Sequence, residues 1–411
     1  MSMDSPPERP QLVRSLSLGH SVLYGLGVTI GAGIYVLVGL AAGRSGLYAP
    51  LAFVIAAVLL MFSAASFAEL GTRMPVSASE AAYVDAAFHR DWLTLTVGLL
   101  VIVTASISAA TISVGSAGYI SVFVPLPLPV LITGVVLLMG LIACLATVQS
   151  VTFAGIMTVI EIGGLLLIIG AGVLAGPQII TRLPEALPPF TIAAWTGVAG
   201  TALVAVFAFI GFEHLVNVSE EMKQPRLTLP RALFLTLGIT AILYALIVWI
   251  AVTAVSPAEL SKSSAPLALV FERLTGMPLF TMGGIAVVAT LNGVIVHMIM
   301  IARVMYGLAN AGRLPKPLAA VNARTRTPVL ATVVGVIAIL VLALVVPLSE
   351  LADLTSRATL AIFAMVNLAL IRIRLRELKP PEDIFLCPLW IPYAGLASSV
   401  LLFVASFVPQ G

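Results

Sequence analysis

The chain has 411 residues, of which 60% are hydrophobic and only 9% charged, against about 25% charged residues in an ordinary soluble domain. A mean hydropathy of +1.13 leaves too little polar surface to coat a water-soluble globule, which excludes a soluble enzyme, a disordered chain, a coiled coil and a nucleic-acid binder. The net charge is only +3, with the basic residues falling between hydrophobic stretches, so the basic balance reflects membrane topology and no polyanionic partner.

A hydrocarbon core about 30 Å thick takes roughly 20 apolar residues of helix. Eleven segments of that kind are predicted as spans 1 to 11, at 21–43, 48–71, 92–121, 128–147, 151–176, 194–221, 232–255, 280–310, 328–347, 351–372 and 388–408. The runs are long and lack the alternation of a barrel strand, so all are read as helices. Residues 1–20, with Arg9 and Arg14, form a cytoplasmic tail. The apolar run after them is too long for a signal-peptide core and leads straight into a second span, so it is read as an uncleaved membrane anchor. Cys144 and Cys387, the two cysteines, cannot build a disulfide framework.

With the N-terminus inside, sixteen lysines and arginines fall on the cytoplasmic side, and five (Arg44, Arg182, Lys262, Arg273 and Arg357) fall outside. That bias predicts a multi-pass protein of the cytoplasmic (inner) membrane with its N-terminus inside.

Two glycine-interrupted stretches lie five spans apart. Span 1 carries Thr29-Ile30-Gly31-Ala32-Gly33 at mid-depth and span 6 carries Phe209-Ile210-Gly211-Phe212-Glu213. Five is odd, so the two spans cross in opposite directions. Spans 3 and 8, the third member of each set, are both unusually long. These are the marks of an inverted repeat with its binding site at the interrupted helices. The division predicted is a first repeat over 21–176, a second over 194–376, and an eleventh span with the chain end over 388–411.

At Gly31-Ala32-Gly33 the choice lies between a small-residue packing seam and an unwound stretch whose free N–H groups receive a carboxylate, with Thr29 adding a hydroxyl. Pairing with span 6 favours the second. Unwinding at Ile210-Gly211 would expose carbonyl oxygens to an ammonium group, with Phe207 as an apolar and cation–π wall. Phe209 and Phe212 read as core. Glu213 is a second acid inside an apolar run, costly unless neutral, paired or beside water.

The sequence resembles the amino acid–polyamine–organocation (APC) superfamily of permeases, and looks most like its cationic-amino-acid-transporter branch. The residues that bear this are Gly27 to Leu37 in span 1, Ala68-Glu69-Leu70-Gly71-Thr72-Arg73-Met74-Pro75 closing span 2, and Phe207 to Glu213 with Glu220-Glu221 and Pro225 around span 6. Arg303-Val304-Met305-Tyr306, Gly312-Arg313-Leu314-Pro315 and Arg324-Thr325-Arg326-Thr327-Pro328 follow in the family's order. The resemblance implies an all-α LeuT-type 5+5 inverted repeat with broken helices 1 and 6, and a secondary transporter of amino acids working by alternating access, with no cofactor. By motif position, Thr29, Ile30, Ala32 and Gly33 would surround the substrate carboxylate, and Phe207, Ala208 and Ile210 would take the amine through their carbonyls. Gly31 and Gly211 complete the two patches.

Three departures follow. Relatives commonly have twelve spans where this sequence shows eleven; the core needs only ten. Arg357 stands where a small or apolar residue is usual, and reads more simply as snorkelling to headgroups than as a substrate contact. Glu161, mid-span 5, stands where many proton-coupled relatives have a lysine. An ionised carboxylate there is expensive, so the neutral form is favoured, and a hydrogen bond to a span 1 carbonyl near Gly27 or Val28 is expected to link its protonation to transport. A sodium site would need several oxygen ligands, and between Gly293 and Ala309 span 8 has no Ser, Thr, Asp, Glu, Asn or Gln. His297 there reads as packing or cavity lining. Protons are therefore expected as the coupling ion over sodium.

Alternatives on the same fold are an amino acid or polyamine exchanger, a passive channel, and a non-transporting nutrient sensor. Enzymatic readings fail for want of a His-Glu-x-x-His pair, and a pump for want of a phosphate-binding glycine loop. The particular amino acid and the oligomeric state are not legible in the sequence.

Overall fold

The computed structural model describes residues 16–74, 79–145, 151–176, 178–377, 379 and 381–407. The tail through residue 15, Pro75 of the span 2 motif and the last four residues lie outside them. Every predicted span finds a helix: Leu18–Ser45, Ala49–Arg73, Asp91–Ile120, Leu128–Leu145, Val151–Leu174, Ile192–Phe209 continued by Phe212–Glu221, Pro225–Ala254, Leu279–Asn310, Val329–Val345, Leu348–Arg376 and Trp390–Ala405. Among the described residues the sole β-type pairing is an isolated bridge between Leu16 and Met222. Spans 9 and 11 are short, at 17 and 16 residues, near the lower limit for crossing.

Local chemistry sets the ends. Ser17 caps span 1 by accepting from the His20 N–H, and Gly46 ends that helix at φ 53°. Pro50 and Pro225 sit in the first turns of spans 2 and 7, where a missing N–H costs nothing.

The repeat is visible in packing. Span 1 packs on span 6, 2 on 7, 3 on 8 and 4 on 9, so four of the five helices meet their counterparts five spans on. A helix of 10 residues follows the second span of each half, Ser79–Phe88 and Pro266–Thr275. The third spans are long in both halves, with 30 and 32 residues.

Span 6 breaks at the residues the sequence singled out. Its α-helix stops at Phe209, Ile210 turns extended at φ −58°, ψ 135°, and Gly211 takes φ 126° before a 3-10 segment begins at Phe212. Only glycine holds that conformation without strain. A Cβ on Gly211 would also lie 2.8 Å from the Val28 carbonyl oxygen and 3.0 Å from the Thr29 Cα. Phe209 and Phe212 flank the break as core, within aromatic contacts to Tyr244 (5.1 Å) and Phe363 (5.6 Å).

Span 1 corrects the expectation of a second break. Its backbone is helical without interruption from Leu18 to Ser45. No proline or left-handed residue forces it open, and Gly33 serves close packing, since a Cβ there would lie 2.6 Å from the Ala208 Cα. That contact is of the kind a small-residue packing seam makes.

Gly211→Ala should therefore lower the melting temperature of the purified protein, by strain of about 1–3 kcal/mol plus the displacement of span 1. Gly163→Ala, where a Cβ meets nothing within 4 Å, should leave it unchanged or raise it slightly.

Candidate functional site

A cavity of about 1370 Å³ runs into the bundle from the end that carries the start of span 1. Its mouth is charged, with Glu80, Asp85, Glu220, Glu221, Arg303 and Arg313 on its walls. Its deep end reaches Gly27 and Val28 of span 1, Ile210 and Glu213 at the span 6 break, Asn292 of span 8 and Phe363 of span 10. The opposite end of the bundle is tied shut. Arg44, ending span 1, makes a bidentate pair with Asp353 of span 10 at 2.8 and 2.9 Å and donates to the Gly200 carbonyl of span 6 at 3.1 Å.

The two predicted patches do meet, but at the described residues, Ile210 apart, they are sealed against each other and not open to the cavity. Thr29, Ile30, Phe207 and Ala208 are all buried. The Thr29 hydroxyl donates to the Gly25 carbonyl at 2.8 Å. The Phe207 carbonyl accepts the Ile210 N–H at 3.1 Å. The Tyr244 hydroxyl lies 2.9 Å from the Thr29 carbonyl and 3.0 Å from the Ala208 carbonyl, bridging the two spans. Of the predicted residues Ile210 lines the cavity, with Gly211 packed beside it on span 1; the surroundings of Gly31 and Ala32 lie outside the described residues. Phe207 is packed and forms no cavity wall here.

Polar groups that line the cavity come mostly from elsewhere. One Glu213 oxygen accepts the Gly211 N–H at 2.9 Å, and the other stands 3.9 Å from His214 Nε2. His297 faces His214 with ring centroids 6.2 Å apart. His297 Nδ1 lies 2.9 Å from the Gly293 carbonyl and Nε2 lies 3.0 Å from Ser108 Oγ. A carbonyl only accepts, so Nδ1 carries a proton, and Nε2 shares the other bond with the serine hydroxyl.

Glu161 is fully buried, as expected, but its partner differs. Asn292 Nδ2 donates to Glu161 Oε1 at 3.0 Å, and Oε2 has no hydrogen-bond partner among the described residues. The span 1 carbonyls near Gly27 and Val28 are not its acceptors. Thr158, about one turn earlier on span 5, packs against Gly27 instead. Span 1 is reached through the backbone, where the Tyr35 hydroxyl donates to the Glu161 carbonyl at 2.7 Å. Asn292 stands one residue before the stretch of span 8 that lacks polar side chains. Sequence reasoning did not single out Asn292 or Tyr244; each is one of several polar side chains in its span, which left no distinctive signal.

Arg357 faces neither cavity nor substrate patch. It donates to the Ser406 hydroxyl at 3.0 Å and the Ser406 carbonyl at 2.7 Å, and lies 4.6 Å from the centre of the Phe407 ring. It thus caps the carbonyl end of span 11, where a cation is favoured. Among the described residues no group of His, Cys, Asp and Glu is arranged to hold a metal ion.

A pseudo-symmetric helical bundle with one broken span and a cavity ending at the break defines a membrane transporter of the LeuT-type 5+5 fold. The family profile described as amino acid permease matches residues 16–411, and the chain belongs to that family. It is 28% identical to the branched-chain amino acid permease BcaP of Bacillus subtilis, over 96% of this chain and 88% of that protein. It is 29% identical to the vacuolar cationic amino acid transporter 2 of Arabidopsis thaliana, over 91% of this chain but only 61% of that longer protein. A solved structure of a manganese transporter of Eremococcus coleocola matches with a TM-score of 0.65 over 99% of this chain and 90% of that one, at 14% identity, a likeness of fold alone.

Tyr244→Phe removes the hydroxyl between two buried carbonyls and should cost about 1–3 kcal/mol, read as a lower denaturation midpoint. Trp249→Phe, which loses one part-buried bond to the Ile179 carbonyl, should cost less.

Proposed function

We propose that the protein is a secondary active transporter that carries amino acids across the cytoplasmic membrane by alternating access, driven by protons. The observation that carries this reading is the asymmetry of the bundle: a cavity open at one end, with Glu213, His214, Asn292 and His297 among its lining, and an Arg44–Asp353 clamp at the other. With the N-terminus inside, as the distribution of basic residues supports, this is the inward-facing arrangement. The amino acid amine is received at Ile210, beside the broken end of span 6. The sealed contact of Thr29, Ile30 and Gly33 with Phe207 and Ala208 becomes accessible as the repeats over 21–176 and 194–376 move relative to one another, and the carboxylate then meets span 1.

Glu161 is the coupling group. In its neutral form it fits the apolar surroundings and holds span 5 to span 8 through Asn292; loss of the proton leaves a buried negative charge with one amide donor and an unpartnered oxygen. Such a charge is expensive in the bilayer core, so protonation biases the bundle between its two facings. Uptake into proteoliposomes should rise as external pH falls and persist when sodium is replaced by choline. Glu161→Gln, which mimics the neutral acid, should keep counterflow exchange and lose its response to a pH gradient. A sodium requirement, or a Glu161→Gln protein still driven by pH, would assign the coupling elsewhere; binding without counterflow would make the protein a sensor.

The clamp gives a separate expectation. The pair is largely shielded, with side chains 14% and 18% exposed, so Arg44→Gln should shift the equilibrium towards the outward-open form by about 1–2 kcal/mol, roughly 5–30-fold in population. Spin labels placed across the outer end, in a background without Cys144 and Cys387, would report that shift as a longer distance.

A further inference from the structure

A second cavity, of about 1020 Å³, lies away from the transport pathway, at the junction of the span 2 end, the span 7 start and the segment before span 11. Arg73, Lys223, Arg226 and Arg231 line it, against one acid, Asp383. Arg73 is already neutralised by Glu69 and Glu377, at 2.7 and 2.6 Å. Arg226 shares Asp383 across 3.3 Å, and both are largely exposed. Lys223 and Arg231 are exposed and have no ion-pair partner among the described residues. The cavity therefore carries an excess of positive charge with two cations unspent.

Its floor is apolar. Phe234 and Phe385 meet at 6.0 Å, and Leu227 and Leu386 stand 53% and 46% exposed beside them. From Leu227 an exposed stripe continues along span 7 through Leu235, Ile239, Ile242 and Leu246. These are spaced three, four or eight apart, which is one helix face. Arg231 falls on that same face, four residues after Leu227 and four before Leu235. A basic mouth opening onto an outward aliphatic stripe at the membrane end of a helix matches a molecule with an anionic head and hydrocarbon tails.

We propose that this groove binds an anionic phospholipid, with its phosphate on Lys223, Arg226 and Arg231 and an acyl chain lying along the span 7 stripe. A soluble phosphate would satisfy the cations but leave Leu227, Phe234 and the stripe without purpose; a zwitterionic lipid would cover the stripe but bring its own cation to the mouth. Basic pockets between helices at the membrane surface are suited to acidic headgroups.

The test uses the full-length protein, purified without added lipid and titrated with phosphatidylglycerol or phosphatidylcholine, with retained lipid counted by native mass spectrometry. Wild type should retain phosphatidylglycerol at least tenfold better. Each neutralised cation should weaken that preference roughly fivefold, so Lys223→Gln/Arg226→Gln/Arg231→Gln should abolish it. Arg231→Gln alone should lower it, and serves if the triple variant misfolds. Lys316→Gln/Arg324→Gln, which removes exposed cations on the loop between spans 8 and 9, should keep it. The proposal is overturned if wild type holds both lipids equally, if Arg231→Gln and the triple variant keep the preference, or if the control loses as much. Equal thermal stabilisation by glycerol phosphate and by phosphatidylglycerol would make the groove a soluble-anion site and equally overturn it.

Discussion

The structure depends on the contact between the span 6 turn and the backbone of span 1. At Gly211 and Ala208 the two chains approach so closely that neither Gly211 nor Gly33 has room for a Cβ. In a bilayer the gain from this is packing and hydrogen bonding, because lipid tails are as apolar as leucine and no hydrophobic force drives helix to helix. The approach in turn creates a polar debt at the turn, where a helix end leaves carbonyls without intrahelical partners. Ile210 N–H, Tyr244 and the Glu213 carboxylate meet the groups so exposed: the Phe207 carbonyl, the Ala208 carbonyl and the Gly211 N–H. The break is thus a closed local circuit, and the cavity ends where that circuit begins.

Charges follow the same economy at the ends of the bundle. Glu69, fully buried at the end of span 2, accepts from Arg73 and from Arg374 of span 10, and from the Cys387 N–H at 3.0 Å. Arg374 also donates to the Cys387 carbonyl at 2.6 Å. The cluster adds little net stability for its size, since burying ions is expensive, but removing one member would strand the rest. Its effect is geometric: spans 2 and 10 and the lead into span 11 are held as one body at the cavity's mouth end. Arg44 and Asp353 join spans 1 and 10 at the far end through a single part-exposed pair. The joint at the mouth end is thus the more heavily bonded of the two.

Much of this was legible in sequence because a bilayer constrains sequences strongly. Span lengths, the long third helices and the interruption of span 6 all follow from hydrocarbon thickness and from the cost of an unsatisfied peptide group. Span 1 was harder. Gly31-Ala32-Gly33 is compatible with unwinding and with tight packing, and the choice depends on what lies opposite, which at Gly33 is Ala208. The Glu161 partner was missed for a related reason: Asn292 is 131 positions away, and no local pattern in span 8 marks which polar residue faces span 5. Of the residues assigned by motif position, Ile210 is the one among the described residues that reaches the cavity wall, because a motif fixes the neighbourhood and the conformation decides which atoms are exposed.

A transport cavity has to be wet enough to admit a polar solute and weak enough in binding to let it leave. The polar lining meets both demands by satisfying itself first. His297 spends one ring nitrogen on Gly293 and the other on Ser108, so it offers the solute a shaped, already bonded ring. Glu213 spends one oxygen on the turn it helps to form. Among the lining groups left with bonding capacity are the second Glu213 oxygen, 3.9 Å from His214 Nε2, and the Thr359 hydroxyl, which has no hydrogen-bond partner among the described residues. Part of the available chemistry is therefore at the broken helix, and any motion that straightens or tightens the turn at Gly211 changes that chemistry and the seal on span 1 together.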